Sequence, residues 1–148
     1  MQIRIHVPSQ TLDLIKEGEV IRCYAISTSR FGIGSEPGSY KTPEGRFRIS
    51  EKIGEGAPPG EIFVGRVPTS RLGEESDEQD HVQTRILWLD GLEPGNANTH
   101  ERYIYIHGTN AETQIGTPAS LGCVRMSNLD VIDLYDHVTI GTPVEIQP

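Results

Sequence analysis

A single, mostly β domain over residues 1–148, with one helix toward its C-terminal end, is what this sequence predicts. Three observations carry the expectation. Sixteen glycines and ten prolines in 148 residues interrupt the chain too often for a helical bundle. Several short segments alternate apolar and polar residues, the period of a half-buried strand. Only the stretch after Ser127 repeats its apolar residues at helical spacing. A chain of this length is one domain of ordinary size and buries roughly two-thirds of its unfolded surface without disulfides or metal.

The elements follow in order. Ile3, Ile5 and Val7 alternate as a first strand, and Pro8-Ser9-Gln10 turns the chain. Thr11 to Lys16 reads as a second strand with Leu12 and Leu14 on one face. Glu17-Gly18-Glu19 is a hairpin turn into a third strand, Val20 to Thr28, where Cys23 is expected as a small buried hydrophobe. Ser29 to Gly45 is a loop, and Phe47 to Ile53 a strand. Gly54 to Pro59 is a turn cluster, and Ile62-Phe63-Val64 with Val67 forms one further strand.

Arg71 to Gln83 holds Glu74, Glu75, Asp77, Glu78 and Asp80 and is expected as a solvated loop, with His81 exposed at its end. Arg85 to Asp90 is a core strand and Gly91 to His100 a loop. Tyr103 to His107 alternates strictly, with Ile104 and Ile106 on one face and Tyr103, Tyr105 and His107 on the other. Ser127 suits a helix N-cap, and Asp130 favours the positive end of the helix dipole. The helix runs to about His137 and stops before Gly141, and Val144 and Ile146 mark a last strand.

Composition excludes several functions. The formal net charge is −8, which disfavours nucleic acid and anionic membranes as partners. No apolar run approaches the ~18 residues of a membrane span, so no membrane insertion is expected. Met1 to Val7 already reads as a strand and contains no signal-peptide core. The expected location of the chain as given is therefore cytoplasmic, or periplasmic or cell-wall if an export signal has been trimmed away. Cys23 and Cys123 are the only cysteines, with no CxxC pair and no Cys/His cluster at ligand spacing, so no metal and no cofactor is expected. A Cys23–Cys123 disulfide stays open at this point, and it would disable the thiol considered next.

The chemistry concentrates in Ile106-His107-Gly108-Thr109-Asn110 and Ser120-Leu121-Gly122-Cys123-Val124-Arg125-Met126. A thiol titrating near 8.5 is mostly protonated at neutral pH, and a neighbouring imidazolium would stabilise its thiolate. Imidazole can then return the proton to a leaving amine. Gly122, lacking Cβ, lets backbone N–H groups approach a reacting carbonyl, so amides near Gly122 and Cys123 are candidates for an oxyanion hole. Arg125 has two readings of equal weight: holding a substrate carboxylate through paired hydrogen bonds, or forming an ion pair that stiffens the loop.

These segments resemble the active-site motif of the L,D-transpeptidase catalytic domain family, also called the YkuD domain. His107-Gly108-Thr109 and Ser120-x-Gly122-Cys123-Val124-Arg125-Met126 match it, and Lys41-Thr42-Pro43-Glu44-Gly45-Arg46-Phe47 is similar to the family's upstream Thr-Pro-x-Gly-x-Phe element. The resemblance covers roughly residues 1 to 146. It implies a β-sandwich or barrel-like fold and a cysteine acyltransferase acting on L,D peptide bonds of peptidoglycan stem peptides or soluble muropeptides. Carried over by position, Cys123 is the nucleophile and His107 the base, with the Gly108 carbonyl as third member. Thr109, Ser120, Gly122 and Arg125 shape the substrate and oxyanion side.

In such enzymes the acyl group passes to an amine, an L,D-transpeptidase reaction, or to water, an L,D-carboxypeptidase reaction of murein recycling. The missing export signal tilts the expectation toward water. Leu121 departs from the polar or basic residue common at that position. Two readings from other classes compete: a non-catalytic peptidoglycan-binding module on the same fold, and a general cysteine peptidase of L,L bonds.

Overall fold

A computed structural model describes all 148 residues. Its strands are β1 (Gln2–His6), β2 (Thr11–Lys16), β3 (Glu19–Ser27), β4 (Gly45–Ile53), β5 (Glu61–Val64), β6 (Val67–Leu72), β7 (Val82–Gly91), β8 (Tyr105–Gly108), β9 (Val124–Met126) and β10 (Pro143–Gln147). One helix, α1 (Asn128–His137), lies between β9 and β10. The strands form one sheet in the order β4-β10-β1-β2-β3-β9-β8-β7-β5-β6, and an added β4–β7 pairing closes it into a barrel. β5 and β6 lie outside that ring as a hairpin branching from the start of β7.

The alternation read from the sequence sets the barrel's inside. Ile3, Ile5, Leu12, Leu14, Phe47, Ile49, Leu87, Leu89, Ile106, Val124, Met126, Val144 and Ile146 join one core of twenty buried residues. The helix contributes Val131, Leu134, Tyr135 and Val138 to the same core. Its start follows from Ser127, whose hydroxyl accepts from the Asp130 N–H, a cap worth about 1 kcal/mol.

The opposite face of β7 and β8 positions the site. Ile86, Trp88 and Tyr105 alternate with the core residues and form a second, smaller cluster with Phe63, against which Cys123 packs. In the parallel β8–β9 ladder Ile106 lies opposite Val124 and His107 opposite Arg125. Because side chains alternate along each strand, Tyr105, His107, Cys123 and Arg125 share this second face.

Three expectations are corrected. Cys23 is exposed, not buried. The second edge of β3 is paired only at Ile26 and Ser27, so its first half projects beyond the barrel. Both cysteines are free, which removes the disulfide alternative. Residues 61–72 form two strands rather than one, joined by Gly65 (φ 56°) and Arg66 (φ 67°). Two successive left-handed residues define a type I′ hairpin turn. For the non-glycine Arg66 that conformation costs about 1 kcal/mol. Finally, Tyr103 precedes β8 at φ 57° instead of extending it.

Candidate active site

His107 sits at the third position of a four-residue strand and is 3% exposed. Opposite it, β7 carries a bulge between Gln83 and Ile86, with Thr84 at φ 75°. Bulges bend a strand and re-aim its side chains. Here the bulge brings the Thr84 hydroxyl onto Asn128 Oδ1 (2.7 Å), at the start of α1. Gly108 fits beneath this junction. A Cβ there would lie 2.8 Å from the Gln83 carbonyl and closer still to Asn128 Oδ1, so glycine is required for packing.

The imidazole has a fixed tautomer. His107 Nδ1 lies 2.6 Å from the Gly108 carbonyl oxygen. A carbonyl only accepts, so Nδ1 carries the proton and Nε2 keeps the lone pair. Burial pushes the imidazole below its usual range, against the opposing pull of the Gly108 carbonyl and the Asp80 charge, with Arg125 lowering it further.

Cys123 lies just ahead of β9. Its sulfur accepts from the Tyr105 N–H at 3.4 Å and donates to the Tyr103 carbonyl at 3.3 Å. Burial pushes the thiol up to about 11, and Asp80 adds to the rise; the Tyr105 amide, Arg102 and Arg125 act the other way. Both shifts, the thiol up and the imidazole down, favour a neutral pair over the thiolate–imidazolium pair considered from the sequence, because desolvation outweighs the cations nearby.

The loop before Cys123 is clamped from both sides. Ser120 Oγ donates to the Cys123 carbonyl (2.7 Å) and accepts from the Gly122 N–H (3.3 Å). Buried Thr42 donates to the Gly122 carbonyl (2.9 Å) while accepting from the Ser29 N–H (3.0 Å). Gly122 adopts φ 124°, a left-handed conformation suited to glycine. The Cys123 N–H donates to no protein acceptor, so it is free to meet a reacting carbonyl.

Arg125 is 2% exposed, and its guanidinium is engaged internally: Asp80 at 2.8 Å, Gln114 Oε1 at 2.8 Å and Ser27 Oγ at 3.1 Å. The ion-pair reading of this residue is thus present in the structure. Thr109 Oγ1 donates to the other Asp80 oxygen (2.9 Å), and Asn110 binds the Gln79 carbonyl and the His81 N–H. The acidic loop is exposed over most of its length, yet its last turn is pinned, and His81 is only 14% exposed, not free in solvent. Sequence reasoning missed Asp80, Thr42, Tyr105 and Asn128. Thr42 had a signal in its place in the Thr-Pro-Glu-Gly segment, and Tyr105 in sharing the His107 face of its strand.

Leu121, half exposed, borders two depressions. One of about 390 Å³ is lined by Arg30, Asp80, Gln114 and Arg125, the other of about 280 Å³ by Tyr40, Arg102 and Ile104. The largest surface cleft, about 900 Å³ between Ile33 and the C-terminal strand, contains none of these residues.

Comparison with known proteins places the chain in a family. The family model described as "L,D-transpeptidase catalytic domain" matches residues 1–146. The chain belongs to the L,D-transpeptidase catalytic domain family. It is 31% identical over 105 residues to the Bacillus subtilis protein named "Putative L,D-transpeptidase YqjB", covering 71% of this chain and 51% of that one. The fold superposes on an L,D-transpeptidase from Mycobacterium smegmatis at a TM-score of 0.60 with 19% identity, over 99% of this chain and 58% of that one. L,D-transpeptidase 3 from Mycobacterium tuberculosis, solved with a faropenem-derived adduct, gives 0.62 with 17% identity, over 99% and 59%. The chain thus spans little more than half the length of these relatives.

Proposed function

We propose that this L,D-transpeptidase family domain is a cysteine acyltransferase that cleaves L,D peptide bonds of peptidoglycan stem peptides and releases D-alanine. Cys123 is the nucleophile and His107 the base. In the first half-reaction the thiol proton passes to His107 Nε2 as sulfur bonds to the carbonyl carbon. The Cys123 N–H receives the developing oxyanion, the Gly122 N–H being held by Ser120 Oγ. The C–N bond then breaks, and the imidazolium returns its proton to the departing amine. A thioester remains on Cys123 and passes to an amine, giving a cross-link or an exchanged D-amino acid, or to water, trimming the peptide.

The observation that supports this reading most is the His107 Nδ1–Gly108 carbonyl bond, which fixes a base with its lone pair on Nε2 on the strand face it shares with Cys123. A neutral resting pair is consistent with it, since proton transfer is then coupled to attack. Arg125 and Thr109 act through Asp80, holding the loop beside the histidine, and Ser120 and Gly122 hold the backbone of the nucleophile.

The test is incubation with disaccharide-tetrapeptide, with and without excess D-methionine, followed by mass spectrometry. Loss of one alanine identifies hydrolysis, a D-methionine product exchange, and a dimer cross-linking. Muropeptide binding without any of these products contradicts the reading in favour of a non-catalytic module, and cleavage of ordinary L,L bonds in favour of a general peptidase.

A further inference from the structure

Arg66 stands at the tip of the β5–β6 hairpin, in the left-handed second position of its turn. Its guanidinium lies 4.8 Å from the Trp88 ring centre and 5.2 Å from that of Tyr103, and it donates to the Tyr105 hydroxyl at 3.1 Å. These rings form one wall. Trp88 is stacked on His100 at 3.8 Å and meets the edge of Tyr105 at 5.5 Å. The backbone of the same two tyrosines brackets the Cys123 sulfur.

Arg102 and Arg125 act on the thiol directly and Arg66 stands beyond Tyr105, and the three guanidinium groups differ in their commitments. Arg125 is buried and its two terminal nitrogens are committed to Asp80, Gln114 and Ser27, leaving only a buried Nε without a partner. Arg102 donates to the Gly34 and Lys41 carbonyls and to Ser39. Arg66 has one phenolic acceptor and no carboxylate within ion-pair distance, although acidic residues outnumber basic ones by 21 to 13; Glu51 acts on it only from farther away. A planar guanidinium has five donors, so most of the Arg66 fork is unspent. It also lies over two aromatic faces, and a guanidinium is more weakly hydrated than an ammonium, which favours pairing with an anion.

We propose that Arg66 is the residue that recognises the free carboxylate of the D-amino acid on the leaving side of the scissile bond. The assignment rests on the acyl-transfer reading of Cys123. Sulfur and guanidinium are separated by about one tyrosine, with the Tyr105 N–H at the thiol and its hydroxyl at Arg66. That span suits an anion one to two residues from the attacked carbonyl, at roughly 3.5 Å per extended residue. It also explains why a turn that favours Asn-Gly carries a strained arginine: the hairpin sets the cation over the wall.

The experiment compares two synthetic tetrapeptides ending in an L,D bond, one with a free C-terminal carboxylate and one with a carboxamide, by release of the terminal residue. For the wild-type protein amidation should lower kcat/KM by about 10- to 100-fold, the worth of one charge-assisted bond. Arg66→Met should lose a similar factor on the carboxylate peptide and little on the amide, so the amide reaction reports an intact fold. Arg66→Lys should recover part of the loss. Equal turnover of both peptides by the wild-type protein overturns the proposal whatever the variants do, and so does an Arg66→Met loss equal on both. Turnover of neither peptide by the wild-type protein overturns the acyl-transfer reading itself, a distinguishable result.

Discussion

His107 donates its Nδ1 proton to the carbonyl of its own neighbour, Gly108, across 2.6 Å. Residue 108 therefore orients the base with its backbone and leaves room for Asn128 and the β7 bulge with its missing side chain. Gly108→Ala should cost about 1–3 kcal/mol by overpacking, lowering the melting temperature. Turnover should fall more than stability, because the carbonyl shifts with the chain. An unchanged rate with an unchanged melting temperature would show that neither role matters.

The direction of the thiol shift gives a pH prediction. A thiol raised to about 11 becomes thiolate only as pH climbs toward that value. Iodoacetamide should alkylate Cys123 slowly at pH 7, with a rate that keeps rising through pH 9 and 10. The exposed Cys23 is replaced by serine for this measurement. A plateau below pH 7 would instead mean that the thiolate–imidazolium pair exists in the free protein.

Asp80 bears on both partners, since its negative charge raises the thiol and the imidazole alike. Asp80→Asn should move the alkylation profile of Cys123 toward lower pH. It should also destabilise the fold by about 1–3 kcal/mol, because buried Arg125 loses its counter-charge; the effect is less than for a fully buried pair because the Asp80 side chain is 35% exposed. Urea unfolding reads the second effect and the alkylation rate the first. An alkylation profile that does not move would remove Asp80 from the electrostatics of the site.

The parts legible in the sequence were those encoded locally. Period-two alternation marked β1, β2 and β8, Ser127 announced the helix, and the His-Gly and Ser-x-Gly-Cys segments marked the candidate pair that β8 and β9 bring to one face. What escaped depends on partners distant in sequence. Cys23 lies on a strand segment whose second edge is unpaired, a fact of topology. The β5–β6 hairpin buries Ile62 and Phe63 side by side and exposes Val64, Val67 and Leu72, so no alternation marks its two strands. Asp80 looked like any other member of an acidic run, because Arg125 and Thr109 reach it from 45 and 29 positions away.

The central claim is that an acyl group resides on Cys123. Acid-quenched incubation with disaccharide-tetrapeptide, followed by proteolysis and peptide mass mapping, tests it directly. A thioester-linked stem peptide on the fragment containing Cys123, absent from Cys123→Ala together with D-alanine release, is the predicted result. An adduct on another residue, or undiminished D-alanine release by Cys123→Ala, would contradict it.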